Sequence, residues 1–319
     1  MPKRAFLSPG QGAQYVGMGK DLYNSFDQAK HYFQRADEIL GFSLTGLMFG
    51  SGSENEEILA SETDALRQTE ISQPALYVHS AIISMLLSEK GIRPDVTAGH
   101  SVGEYGALFA AQAISFDDGL RVIRKRGELM GAAGKKRVGT MCAVIGLANE
   151  EVERACASVN TDTNIVRAAN FNAPGQVVIS GDVSAVEQAA VAATEAGASK
   201  TIMLTVSGAF HSPLVEEARI GLAEELLRLQ VNVPACPVYL NVTAAASQDP
   251  EEIRQRLIDQ ITAPVRWAQS LEVMQADGVE EYLETGPGRV LSGLVKRTLG
   301  RRVPTAQAGT AAELDAITE

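Results

Sequence analysis

Gly99-His100-Ser101-Val102-Gly103 sets a serine between two glycines in the pattern G-x-S-x-G. A tight bend from strand to helix at such a segment pushes the serine hydroxyl into the open, and the glycines remove Cβ atoms that would clash there. The chemistry on offer is nucleophilic attack on a carbonyl. The N–H of Val102, at the start of the next helix, is one natural donor to the resulting oxyanion. Such a serine needs a base, and the chain has four histidines: His31, His79, His100 and His211. His31 lies in a polar helical region, and His79 falls on the apolar pattern of a helix. His100 adjoins the serine in a turn where neighbours project apart. His211 follows a strand and the loop Ser207-Gly208-Ala209-Phe210, where open α/β sheets place reactive groups. By elimination His211 is the candidate base. No acidic residue near it stands out as a third member, and a main-chain carbonyl can hold the second ring nitrogen instead. The plainer alternatives, a structural turn at Ser101 and a backbone-bonded loop histidine at 211, stay open at this level.

Asp117 to Ala133 has helical periodicity, with Val122, Ile123, Leu129, Met130 and Ala133 on one face. Arg126 sits in the middle of that apolar stripe. An unpaired guanidinium turned inward costs several kcal/mol, so an anion must meet it. That anion is either a buried Asp or Glu of the chain, or a carboxylate brought by a substrate and gripped in a bidentate fork. With Ser101, the second option describes acyl transfer through a serine ester on an acyl group that carries a free carboxylate.

The elements that must hold these groups read as alternating strands and helices. Ala5 to Leu7 is a strand running into the glycine turn Pro9-Gly10-Gln11-Gly12-Ala13-Gln14. A helix is expected over Gln73 to Lys90, with Pro74 near its start and Gly91 closing it. Val96 to Ala98 is a short buried strand leading into the serine bend, and a small-residue helix follows through Ala113. Strands at Met141–Ile145, Ile165–Ala169, Gln176–Ser180 and Thr201–Val206 alternate with helices at Asn149–Val159 and Val183–Ala196, the turn Asn172-Ala173-Pro174-Gly175 joining the middle pair. The order β-α-β-β-α-β is that of a ferredoxin-like unit. It is expected to be an insert, residues 138–206, in a larger α/β domain formed by 1–137 and 207–319. Val238–Val242 and Val279–Leu283 are further strands of that domain, and Thr305 to Glu319 reads as a loosely held tail.

Composition removes several classes of function. The 319 residues carry 28 Lys+Arg against 39 Asp+Glu, a net charge of −11, which argues against a nucleic-acid binder. The longest nearly apolar stretch, Ala75 to Leu87, is expected to be too short to span a bilayer. Met1-Pro2-Lys3-Arg4 leads into no apolar run of the kind a signal peptide has. Cys142, Cys156 and Cys236 form no CxxC pair and read as reduced thiols of a cytoplasmic protein. Four scattered histidines make a zinc site improbable.

Taken together, these segments resemble the malonyl-CoA:acyl carrier protein transacylases over nearly the whole chain. Pro9-Gly10-Gln11-Gly12-Ala13-Gln14 is similar to that family's N-terminal glutamine loop, and Gln73-Pro74-Ala75-Leu76 to its helix start before the serine. Gly99-His100-Ser101-Val102-Gly103-Glu104-Tyr105 matches the serine segment, and Arg126-Gly127 lies 25 residues after Ser101 as in the family. Gly208-Ala209-Phe210-His211-Ser212-Pro213, Pro264-Val265-Arg266-Trp267 and Glu284-Thr285-Gly286-Pro287-Gly288 match its later motifs.

The resemblance implies an α/β-hydrolase-like core with a parallel sheet plus the smaller ferredoxin-like subdomain. It implies Ser101 as nucleophile, His211 as base, and the carbonyl of Gln260 as the group that orients the imidazole. It further implies an oxyanion hole from the Gln11 and Val102 amides and a malonyl carboxylate on Arg126. Phe210 is similar to the form associated with malonyl rather than methylmalonyl units, and Asn172 faces the cleft in the family. The expected substrates are malonyl-CoA and acyl carrier protein, with no tightly bound cofactor and a monomeric enzyme. An acidic carrier protein needs a local basic patch on this acidic chain. Lys135-Lys136-Arg137, or Lys296-Arg297 with Arg301-Arg302, are the two candidates, each of which is also readable as a solvated face. A polyketide-loading acyltransferase, a serine thioesterase and, last, a non-catalytic docking subunit are the competing functions.

Overall fold

Short apolar runs between polar or glycine turns become the strands of two separate sheets. The computed structural model describes residues 2–318. In chain order the strands are β1 (Arg4–Ser8), β2 (Val96–Gly99), β3 (Gly139–Ile145), β4 (Val166–Ala173), β5 (Gln176–Asp182), β6 (Lys200–Met203), β7 (Val238–Leu240), β8 (Ala245–Ser247), β9 (Glu281–Glu284) and β10 (Thr305–Gln307). The first sheet has the order β10-β9-β1-β2-β7-β8; its first five strands run parallel and β8 is antiparallel to β7. Helices cover both faces, as a parallel sheet requires. Phe6 packs with the helix Thr69–Glu89 on one side, while Ala5 and Leu7 pack with Trp267, Leu271 and Leu291 on the other.

The second sheet is antiparallel throughout, in the order β4-β5-β3-β6. One face carries the helices Asn149–Val159 and Val183–Glu195 over a core of its own, including Val144, Val177 and Ile179. The other face, with Met141, Asn170, Asn172 and Val178, looks onto a cleft above the first sheet. Main-chain bonds tie the sheets together along β4: Phe171 N–H donates to Val265 O at 2.9 Å and Val265 N–H to Ala169 O at 2.8 Å.

Several element ends differ from the sequence reading, each for a local reason. The helix expected over Gln73–Lys90 begins at Thr69 and encloses Pro74. Proline leaves the carbonyl of Glu70 without its helical donor, and Arg124 Nη1 donates to that oxygen at 2.7 Å. The extra turn also corrects the expectation that this segment is too short to span a bilayer. Among the described residues it is the one helix long and apolar enough to do so, and most of it is buried inside the fold. The helix after Ser101 ends at Ala110 instead of Ala113, because Gln112 turns left-handed at φ 59°. The fourth strand of the small sheet stops at Met203, short of Val206, and β7 stops at Leu240. β9 starts at Glu281 because Gly278, at φ 84°, and the Val279 N–H bonded to Met274 O close the preceding helix. Asn172 lies within β4, not in a turn; the bend is confined to Pro174-Gly175. The tail is not loose: β10 and the helix Ala311–Ala316 order it, with Ala308 and Leu314 buried. Glu319 lies outside the described residues.

Candidate active site

β1 and β2 deliver the loop carrying Gln11 and the bend carrying Ser101 side by side, with His100 N–H donating to Ser8 O at 3.0 Å. The two glycines of the bend are sterically required. A Cβ on Gly99 would lie 1.9 Å from the Gly103 carbonyl group, and one on Gly103 would lie 2.1 Å from Ser8 O. Ser101 itself takes φ 53°, a left-handed conformation that costs a non-glycine residue about 1–2 kcal/mol. Asn241, just past β7, braces the bend: its side chain accepts from Ser101 N–H at 2.7 Å and donates to Gly99 O at 2.7 Å.

His211 arrives on the loop that returns from the small sheet, also left-handed at φ 56°. Its Nε2 is 2.8 Å from Ser101 Oγ and its Nδ1 is 2.8 Å from the main-chain oxygen of Gln260. A carbonyl only accepts, so Nδ1 carries the proton and Nε2 offers its lone pair to the serine hydroxyl. Burial, then the charge of Arg126, pushes the imidazole down to about 3, so the ring is neutral near pH 7.

Arg126 projects from the helix Phe116–Lys136 and is 1% exposed. Nη1 donates to Gln73 Oε1 at 2.7 Å, and Nη2 donates to Gln260 Oε1 at 2.8 Å and Ser101 Oγ at 3.1 Å. Nε has no partner. No carboxylate of the described residues forms an ion pair with this guanidinium. Among the described residues its resting partners are two neutral amides and the reactive hydroxyl, which use three of its five N–H donors.

Ser101, His211, Arg126, Gln11, Val102, Phe210 and Asn172 all line one cleft of about 630 Å³. Gln260 stands behind it, fully buried. Neither the Gln11 nor the Val102 main-chain N–H meets a protein acceptor among the described residues. Phe210 is a nearly buried wall of the cleft, and His100, which also lines it, has its Nε2 2.8 Å from Asn172 Oδ1, whereas the Ser101 hydroxyl is bonded to His211 and Arg126.

Three features of the site were not visible beforehand. The side chain of Gln260 contacts Arg126 while its carbonyl contacts His211. Asn241 supports the bend. Glu104 is buried at 1% exposure and accepts from Asn241 N–H and the Gln260 amide. Burial pushes its carboxyl up to about 8, against those two donors and Arg126, which pull it down. Of these, only Glu104 had a signal in the sequence: an acid placed directly after the bend, at the start of an otherwise apolar helix.

The basic clusters differ from each other. Lys135, Lys136 and Arg137 pair with Glu70, Glu217 and Asp182. Arg297 donates to Gln176, while Lys296, Arg301 and Arg302 form no ion pair among the described residues.

Residues 5–314 match the acyl transferase domain family. A malonyl CoA-acyl carrier protein transacylase of Bacillus subtilis is 43% identical over 305 residues, 96% of this chain and 93% of that protein. One of Staphylococcus aureus is 38% identical over 93% of this chain and 92% of its own length. Among solved structures, an acyl carrier protein S-malonyltransferase of Vibrio cholerae superposes with a TM-score of 0.92 at 40% identity, covering 99% of this chain and all of that one. A malonyl-transacylase solved in complex with a type II PKS acyl-carrier protein gives 0.91 at 39% identity, covering 98% of each chain.

Proposed function

The chain belongs to the acyl transferase domain family, and from that premise we propose that it moves a malonyl group from malonyl-CoA to the phosphopantetheine thiol of acyl carrier protein through an ester on Ser101. Malonyl transfer to acyl carrier protein supplies extender units for fatty-acid synthesis. His211 Nε2 takes the Ser101 proton as Oγ attacks the thioester carbonyl. The Gln11 and Val102 amides receive the oxyanion, each such donor being worth on the order of 10²–10³-fold. Collapse expels the coenzyme A thiolate, which takes the proton from His211. The carrier thiol then gives its proton to His211, attacks the ester through the same oxyanion site, and releases Ser101, whose Oγ takes that proton back from His211 as it leaves. Gln260 O holds the imidazole in the required tautomer in place of a triad carboxylate.

One observation carries this reading: Ser101 Oγ lies within hydrogen-bond distance of both the His211 ring and a buried guanidinium that has no carboxylate partner among the described residues. A simple esterase acts on acyl groups with no anion and has no use for that guanidinium. Incubation with malonyl-CoA alone should leave malonate on the Ser101 peptide in mass spectrometry, and addition of carrier protein should clear it. Labelling of another residue, or release to water at the same rate with and without carrier protein, would refute the proposal. The likeness to the transacylase solved with a type II PKS carrier favours a second destination, a polyketide carrier loaded by the same two steps.

We also read the two layers as an α/β-hydrolase-like core, residues 1–137 and 207–319, and a ferredoxin-like subdomain, residues 138–206. The βαββαβ order and the antiparallel arrangement β4-β5-β3-β6 support the second assignment. The cleft is complete within one chain, which suits an enzyme acting as a monomer with no resident cofactor. The three buried free thiols suit a cytoplasmic setting. Lys135, Lys136 and Arg137 are already neutralised by acids, so the Lys296–Arg302 cluster is the stronger docking site for an acidic carrier.

A further inference from the structure

Glu104 faces the back of the cleft from the first turn of the helix Gly103–Ala110 and touches neither Ser101 Oγ nor the cavity. Its two oxygens have separate duties. Oε1 accepts the main-chain N–H of Asn241, and Oε2 accepts the side-chain amide of Gln260. The same Gln260 nitrogen donates to Ser101 O at 3.0 Å, and the Gln260 oxygen accepts from Arg126 Nη2 at 2.8 Å. An amide presents a donor on one side and an acceptor on the other, and only the network around it decides which faces where. Here a Glu104 oxygen and the Ser101 carbonyl both accept from the NH₂ end, so the Gln260 oxygen is left for the guanidinium.

We propose that Glu104 is a positioning residue for substrate selection: through the Gln260 amide it fixes where Arg126 holds Nη2, and thereby the preference for acyl groups ending in a carboxylate. This rests on the reading of Arg126 as the malonyl-carboxylate site. Glutamine at 104 has the same shape but the wrong polarity. The Asn241 N–H is main chain and cannot turn over, so it retains the new amide oxygen and the new NH₂ faces the NH₂ of Gln260. Gln260 must then either tolerate two opposed donors or flip. A flip turns its own NH₂ toward Arg126 and withdraws the donor from Ser101 O. Either outcome displaces the guanidinium, while the His211 contact, made by the main-chain carbonyl of Gln260, has no direct share in the conflict.

The test compares single-turnover rates of malonyl-Ser101 and acetyl-Ser101 formation from the two coenzyme A esters, followed by intact mass on the full chain. Glu104→Gln should lower the malonyl-to-acetyl ratio by about ten- to a hundredfold, the loss expected when a hydrogen bond to a charged group is disturbed. Gln260→Met, which keeps the carbonyl but breaks the relay from the other end, should lower it similarly. The double variant should lower it no further. Equal loss on both esters would make Glu104 merely structural, and additive losses would mean it does not act through Gln260; either result overturns the proposal. If Glu104→Gln does not fold, an unchanged ratio in Gln260→Met overturns it alone. Arg126→Ala separates the two levels: if that variant keeps the malonyl preference, the reading of Arg126 is what fails.

Discussion

Replacing Arg126 with alanine tests the proposed recognition of substrate most directly, and the structure sets the size of the effect. A carboxylate on this guanidinium gains two charge-assisted hydrogen bonds, each worth about 1.5–3 kcal/mol. Two contacts are given up in exchange, since Nη1 and Nη2 already donate to Gln73 and Gln260. At about 1 kcal/mol for each contact given up, the net loss on truncation is about 1–4 kcal/mol, or roughly 5- to 10³-fold in kcat/KM for malonyl-CoA. An acetyl group offers no acceptor to the guanidinium. Its rate should fall only through loss of the 3.1 Å Arg126–Ser101 contact, about tenfold at most. The assay is the second-order rate of coenzyme A release from each ester under single-turnover conditions, with a thermal midpoint confirming that the variant is folded. Removing the cation also takes away the second-largest influence holding His211 down, after burial, so the acid limb of the rate profile should move upward. Parallel losses for both esters, or an undiminished malonyl rate, would refute the carboxylate-binding argument.

Three other expectations are simpler. His211 must be unprotonated to act, and its folded value of about 3 lies far below an ordinary imidazole, so serine acylation should stay flat from pH 7 to pH 5; a limb centred near 6.5 in stopped-flow rates would contradict this. His79 is pushed down to about 4, chiefly by burial. The unfolded chain therefore gains a proton near 6.5 that the fold does not accept until about 4, and stability falls as pH drops through that window, by about 2 kcal/mol at pH 5. His79→Leu should flatten the decline of the melting midpoint between pH 6.5 and 5, and an unchanged slope would count against it. Gly103→Ala sets a Cβ 2.1 Å from Ser8 O and should cut acylation at least a hundredfold, whereas Gly293→Ala, with nothing within 4 Å, should leave rate intact and raise the midpoint slightly.

The parts of this molecule readable in advance are those whose determinants are close in sequence. The glycines around Ser101 report a bend because the clash they avoid lies within a few residues, and Arg126 declares itself by interrupting its own helix's apolar stripe. The start of the Thr69–Glu89 helix was misread because the group that tolerates Pro74 is Arg124, from another helix. The Glu104–Gln260 contact was invisible for the same reason: 156 residues separate its two ends, and nothing in either segment points to the other. Lys135, Lys136 and Arg137 look like a free basic run until the fold brings Glu70, Glu217 and Asp182 against them. The extra strands β8 and β10 are three residues each, too short for a periodic pattern to register.

The backbone at Ser101 and His211 has a consequence for anyone engineering this protein. Both residues sit at torsions that glycine or asparagine would occupy with less penalty, and the scaffold absorbs about 1–2 kcal/mol for each. Disarmed forms therefore have an intrinsic head start in any contest of heat resistance. A library sorted on melting alone would drift toward inert molecules at these two positions, so thermal selection here needs a turnover screen beside it.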